Sequence, residues 1–143
     1  VLFSNIEINW CNLWHFNSII LNDRTLCYFK FRLLHDILPS PKHLHRWKIH
    51  DSPLCPICDE ICDYEHFYID CKRLWGFKNE IKQILAQLFV ENCSWNLKNI
   101  MIGYKIENTE YFVINILLTI MSFTIYKHFY MNQCDLTKTN TKE

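Results

Sequence analysis

Cys55-Pro56-Ile57-Cys58 opens a series, Cys-x2-Cys-x7-His-x4-Cys, that closes on His66 and Cys71. Two thiolates two residues apart can grip one ion from a tight turn, and a second pair can complete a tetrahedron. Three sulfurs and one ring nitrogen suit zinc better than hard cations, which take oxygen ligands. Four protein ligands leave no open position for water, so the expected cofactor is one structural Zn2+, not a catalytic one. Cys62 stands close enough to take the place of His66 and give four sulfurs. His66 is favoured because His66 and Cys71 can lie on one side of a helix that begins near Tyr64. Cys11, Cys27, Cys93 and Cys134 have no comparable spacing and read as small buried apolar residues.

A disulfide scaffold is the competing use of eight cysteines. The first ten residues carry Glu7, Ser4, Asn5 and Asn9 and do not resemble a secretory leader. Half the chain is apolar and 15% is aromatic, enough for a core without covalent staples. Reduced cysteines in an intracellular protein, cytoplasmic or nuclear, are expected. The chain opens on Val, as a piece of a longer protein would.

Helices must position the ligands. Two glycines and four prolines in 143 residues are too few for an all-β chain, and apolar residues recur at helical spacing. The fold class expected is mostly α, a small helical domain with a CCHC zinc-binding loop between helices. Ile6, Trp10, Leu13, Trp14 and Ile20 outline a first helix. A second runs from about Arg24 to Leu38, with Leu26, Phe29, Leu33 and Ile37 on its inner face and Pro39 as its stop. Ser40-Pro41 reads as an N-cap followed by proline at the first helical position. The short helix that follows is expected to turn Leu44 and Trp47 inward and Lys42, His43, Arg46 and Lys48 outward, and to end at Asp51-Ser52-Pro53. After Cys71, Leu74, Phe77, Ile81, Leu85 and Leu88 mark the clearest helix. A short helix over Trp95–Ile102 is expected to stop at Gly103, and Asn108 to cap a long last helix. The domain division expected is 1–105 for the zinc-binding helical unit, 106–132 for an apolar C-terminal helix and 133–143 for a flexible tail. Within that helix the uncharged run Tyr111–Tyr126 has 16 residues, short of the roughly 20 that cross a bilayer. Asn115, Thr119, Ser122 and Tyr126 give it a polar stripe, as in a helix buried in a bundle or one that docks on a missing neighbour.

Zero net charge conceals a segregation. Arg24–His50 holds six Lys/Arg against one acid, Asp51–Cys71 holds six acids and no Lys/Arg, and Lys72–Lys105 returns to six basic residues against two acids. Phosphate contacts are expected from Lys42, Arg46 and Lys48, with hydrogen bonds from His43, His45 and His50. Lys72, Arg73 and Lys78 would extend that surface. The acidic loop is a poor phosphate binder, so the metal is expected to position the flanking helices. Trp47 is the aromatic best placed to stack on a base, although packing with Leu44 competes for it.

The residues around the metal motif also carry a family pattern. Phe31-Arg32-Leu33-Leu34-His35-Asp36-Ile37-Leu38-Pro39, Leu44-His45-Arg46-Trp47, Ser52-Pro53-Leu54-Cys55-Pro56-Ile57-Cys58, Glu65-His66-Phe67, Cys71 and Trp75 follow in order. This resembles the zinc-binding region that follows the polymerase in reverse transcriptases of non-LTR (LINE-type) retrotransposons. The resemblance spans about Trp10–Trp75 and extends more weakly to Tyr126. It places the ligands on Cys55, Cys58, His66 and Cys71. It implies a non-catalytic module that grips element RNA or target DNA beside the reverse-transcriptase core. The chain has no Tyr-x-Asp-Asp or similar paired-aspartate motif, so polymerase activity would lie elsewhere. His66 and Cys71 lack a third orienting group for nucleophilic catalysis. No membrane and no small-molecule substrate are expected. The alternative is a zinc-stabilised scaffold that docks onto the polymerase core, or a host protein, through the long apolar helix.

Overall fold

The computed structural model describes residues 10, 11, 13, 23–88, 94–105 and 107–139, and their side chains except those of Leu88 and residues 130–139. Of the expected first helix, Trp10, Cys11 and Leu13 are described and helical, with Leu13 buried; the rest lies outside the described residues. The protein is mostly helical, and among the described residues β pairing is limited to one isolated antiparallel bridge, Leu54 with Ile61.

Helix α1 (Arg24–Leu34) starts on Asp23, whose carboxylate accepts the Thr25 N–H at 2.8 Å. Its end is a Schellman turn: Asp36 adopts φ 56°, Asp36 N–H bonds the Leu33 carbonyl and Ile37 N–H bonds the Arg32 carbonyl. The helix therefore stops before the position that Pro39 suggested. Leu38 turns into the core at 2% exposure, and Ile37, expected on the inner face, stands 42% exposed.

Helix α2 (Pro41–Arg46) has the anticipated start, with Ser40 extended, its hydroxyl accepting the His43 N–H, and Pro41 in the first turn. It ends as α1 does. Lys48 takes φ 59°, its N–H bonds the His45 carbonyl, and Ile49 N–H bonds the Leu44 carbonyl, well before Asp51-Ser52-Pro53.

Helix α3 (Trp75–Leu88) follows a 3₁₀ turn over Lys72–Leu74 and buries Ile81 and Leu85. Helix α4 (Leu97–Met101) is capped by Asn96, which accepts the Asn99 N–H at 2.8 Å, and leaves through Gly103 at φ 83°. Helix α5 (Thr109–Thr139) is capped by Asn108, which accepts the Tyr111 N–H at 3.1 Å, and continues past Gln133, where the sequence suggested a tail.

Phe29 and Leu33 of α1, Phe67 and Tyr68 between α2 and α3, Ile81 and Leu85 of α3, Ile100 and Met101 of α4, and Ile114, Leu118, Ile125 and Phe129 of α5 form one apolar cluster. Phe29 meets Phe123 edge-on at 5.2 Å, and Phe67 meets Phe129 at 4.6 Å. The polar stripe of α5 faces this core, with Asn115, Thr119 and Ser122 all buried. Thr119 and Ser122 hydroxyls bond back to the helix carbonyls of Asn115 and Thr119. Asn115 accepts the Tyr104 N–H at 2.7 Å and donates to the Tyr104 carbonyl at 2.8 Å, which pins the α4–α5 connection to the last helix. Gly103 is needed there: a Cβ would sit 2.6 Å from Asn115 Oδ1. By length and hydropathy Thr109–Phe129 is long enough to cross a membrane, and 39% of its most apolar window is buried inside the protein.

Candidate metal centre

The loop between α2 and α3 is short of regular structure and is held by backbone bonds across its base. Cys55 N–H bonds the Glu60 carbonyl at 2.8 Å, and Cys62 N–H bonds the Pro53 carbonyl at 2.9 Å. Between them the chain turns sharply enough that Asp59 adopts φ 57°. Cys55 and Cys58 sit on this knuckle.

The other two ligands flank a π-helical turn, His66–Asp70, closed by Cys71 N–H to the His66 carbonyl at 2.8 Å. Five residues at about 100° each would carry Cys71 well past His66 around an α-helix. The wider i→i−5 turn brings the two back towards one face, the local irregularity that π turns provide at functional sites. Asp63 accepts the His66 N–H at 3.1 Å and anchors the turn.

Cys55, Cys58, His66 and Cys71 present ligand atoms that all lie within 4.8 Å of one another, and three of the four residues are buried. Both Cys55 Sγ and Cys58 Sγ are 3.9 Å from Cys71 Sγ. These four residues can hold one metal ion. His66 supplies an independent test of fit. Its Nδ1 faces Glu60 Oε2 at 3.2 Å, while its buried Nε2 has no hydrogen-bond partner among the described residues. A buried ring nitrogen without a partner is costly unless a ligand takes it, and a carboxylate on the opposite nitrogen is the usual way to orient a metal-binding histidine.

The thiols show why a cation belongs there. Burial opposes ionisation at Cys55, but backbone bonds from Ile57 and Cys58 and the proximity of the His66 and Cys71 side chains hold it down at about 6. Burial, reinforced by the charges of Cys55 and Cys58, pushes Cys71 up to about 11. One thiolate forms readily and the next is resisted, a repulsion that a bound cation removes. Cys62 is buried at 1% exposure, lies outside the four-residue cluster, and has its thiol pushed far up by burial and then by the charges of Cys55 and Cys71.

The residues expected to meet nucleic acid divide. Lys42, His45, Arg46 and Lys48 are exposed on α2 and its C-terminal turn, and Lys72 is exposed after the metal loop. His43, expected outward, is 6% exposed: Nδ1 bonds Ser40 Oγ at 2.7 Å, Nε2 bonds Asp36 Oδ1 at 3.0 Å, and the ring stacks on Tyr64 at 4.8 Å. Trp47, expected inward, is 39% exposed beside His43. Arg73 turns back over the metal loop, its Nη2 4.0 Å from Cys55 Sγ and its guanidinium 4.5 Å over the Phe129 ring. Lys78 is buried against the Cys71 carbonyl at 3.5 Å. Lys30, counted with the basic segment, is fully buried, donates to the Ile100 carbonyl and is lowered by burial to about 7.

No family model matches the chain, and neither characterised proteins nor solved structures show a detectable similarity to it.

Proposed function

We propose that the chain is a zinc-stabilised, non-catalytic nucleic-acid-binding module, of the kind that follows the polymerase in non-LTR reverse transcriptases, and that it holds RNA or DNA beside the polymerase core. The ion is assigned as zinc because three thiolates and one imidazole, closed around a single point, suit a structural zinc and offer no oxygen ligand to a hard cation.

The observation that carries the binding role is the seating of the basic helix on the metal loop. Lys42 N–H bonds the Cys62 carbonyl at 3.3 Å, and Lys42 Nζ pairs with Asp63 at 3.3 Å. Metal binding thus fixes the register of α2, which presents His45, Arg46 and Lys48 to solvent with Trp47 half exposed among them. Cations that fix phosphates and an aromatic that stacks on an unpaired base are the usual parts of single-strand recognition.

A second reading, a scaffold that docks on the polymerase core or a host protein, draws on the outer face of α5. Val113 and Ile120, seven residues apart on one side of the helix, are 39% and 42% exposed.

Binding of a structured RNA and of duplex DNA by the zinc-loaded protein across a salt series separates the two. A nucleic-acid module shows affinity falling steeply with salt, a slope shallower by about one for each phosphate-contacting residue lost in Arg46→Ala and Lys48→Ala, and an unchanged fold in both variants. Trp47→Ala weakens binding to unpaired strands without unfolding the protein. Absence of binding at low salt rejects the module and leaves the scaffold.

A further inference from the structure

Arg73 lies between two parts of the molecule that the sequence keeps far apart. One end of its guanidinium reaches the Cys55 thiol, and its plane covers the ring of Phe129 near the end of the described side chains of α5. Its Nε is buried and has no hydrogen-bond partner among the described residues. Phe129 in turn packs edge-on against Phe67, the neighbour of His66. A partly buried guanidinium set between a ligand sulfur and an aromatic face links the two by charge and by cation–π contact.

Charge supplies the reason. Three thiolates and a divalent ion leave one net negative charge in a largely buried site, and Glu60 on His66 adds a second. Arg73 on Cys55 and the buried Lys78 on the Cys71 carbonyl are the two cations placed to balance them.

We propose that Arg73 is a positioning residue of the metal centre that couples metal occupancy to the seating of helix α5 on Phe129. The inference rests on the metal reading above and extends it. With metal bound, the Cys55 sulfur is fixed in place and holds the guanidinium, which clamps Phe129. By linkage, loosening Phe129 weakens the metal to the same degree that losing the metal loosens Phe129.

The test measures zinc affinity by chelator competition, and hydrogen exchange across 120–129 with and without zinc, in the full chain. Arg73→Met is expected to weaken zinc about 10- to 100-fold, the usual cost of losing an outer partner of a metal ligand, with Arg73→Lys recovering part of the loss. Phe129→Leu keeps the apolar bulk but removes the aromatic face, and is expected to weaken zinc about threefold to tenfold. The double variant should bind no worse than Arg73→Met alone, because both changes break one contact chain. In the parent protein zinc should slow exchange across 120–129, and in Arg73→Met it should not. Unchanged zinc affinity in Arg73→Met, or additive losses in the double variant, overturns the coupling while leaving the metal centre standing. A parent protein that binds no zinc overturns the metal reading itself.

Discussion

The metal loop and the α4–α5 region bury polar groups in opposite ways. Around α5 the described polar groups find partners within the protein: Asn115 closes both backbone groups of Tyr104, Trp95 donates its indole N–H to the Tyr68 carbonyl at 3.0 Å, and Thr119 and Ser122 bond their own helix. In the metal loop the protein orients its polar atoms and leaves them open. His66 Nε2 is buried without a partner among the described residues, and sulfurs that repel one another as thiolates lie 3.9 Å apart. One region is closed by the polypeptide, and the other leaves a site that one ion could complete. The loop shares the core through Tyr64, Phe67 and Tyr68, so a metal would be needed to close its Cys55–Cys58 knuckle more than to hold its apolar side.

The largest effect that would break this contrast is metal removal. Chelation, or Cys71→Ser, should abolish ordering of residues 53–71, since a structural zinc contributes on the order of 10 kcal/mol to a small site. Hydrogen exchange should rise sharply there while the α4–α5 connection keeps more of its protection; uniform loss across both regions would erase the distinction.

Next in size is the buried amine of Lys30, a charge-bearing group placed deep in the helical region. Its folded pKa of about 7 lies below the ordinary 10.5, so the unfolded chain holds the proton more tightly. Stability should rise with pH from about 7 to about 10.5 and be insensitive to this group below 7. Lys30→Met should remove that slope, on the order of a few kcal/mol over the window, in denaturant unfolding at a series of pH values. An identical slope in parent and variant would assign it to other groups.

A smaller loss sharpens the same side of the comparison. Gly103→Ala and Asn115→Ala should each cost about 2–3 kcal/mol in chemical unfolding, the first by strain at φ 83° and collision with Asn115, the second by removing two bonds to Tyr104. Neither should alter metal stoichiometry. The smallest effect is expected at Cys62→Ala, about 1 kcal/mol of packing with the metal retained, because this buried thiol lies outside the ligand cluster.

The sequence was most readable where a local rule had a single outcome. Ligand spacing singled out the four residues that converge, with Cys62 left as a neighbour. Ser40-Pro41, Asn108 and Gly103 marked helix ends by capping chemistry and by φ, and Ile81 and Leu85 fell on the buried face that periodicity gave them. It was least readable where a long-range partner reversed a side chain's usual preference. His43 points inward because Asp36 and Ser40, seven and three residues earlier, satisfy both ring nitrogens, and a helix of six residues is too short for periodicity to define its faces. Lys30 was counted only as part of a basic segment, since the carbonyl that accepts its hydrogen bond lies seventy residues away. Arg73 belonged by composition to the basic surface, and the fold gave it a sulfur and a ring instead. The two Schellman turns had no glycine to announce them, since Asp36 and Lys48 occupy the left-handed positions. The π turn that brings His66 and Cys71 to one face leaves no residue signature at all.

The central claim is one zinc held by Cys55, Cys58, His66 and Cys71, and native mass spectrometry of protein purified without chelator tests it most directly. The parent chain and Cys62→Ala should each carry one zinc, and Cys71→Ser and His66→Ala should carry none or lose it at low chelator concentration. A parent chain without metal, or a Cys62→Ala variant that loses it while His66→Ala keeps it, would contradict the account.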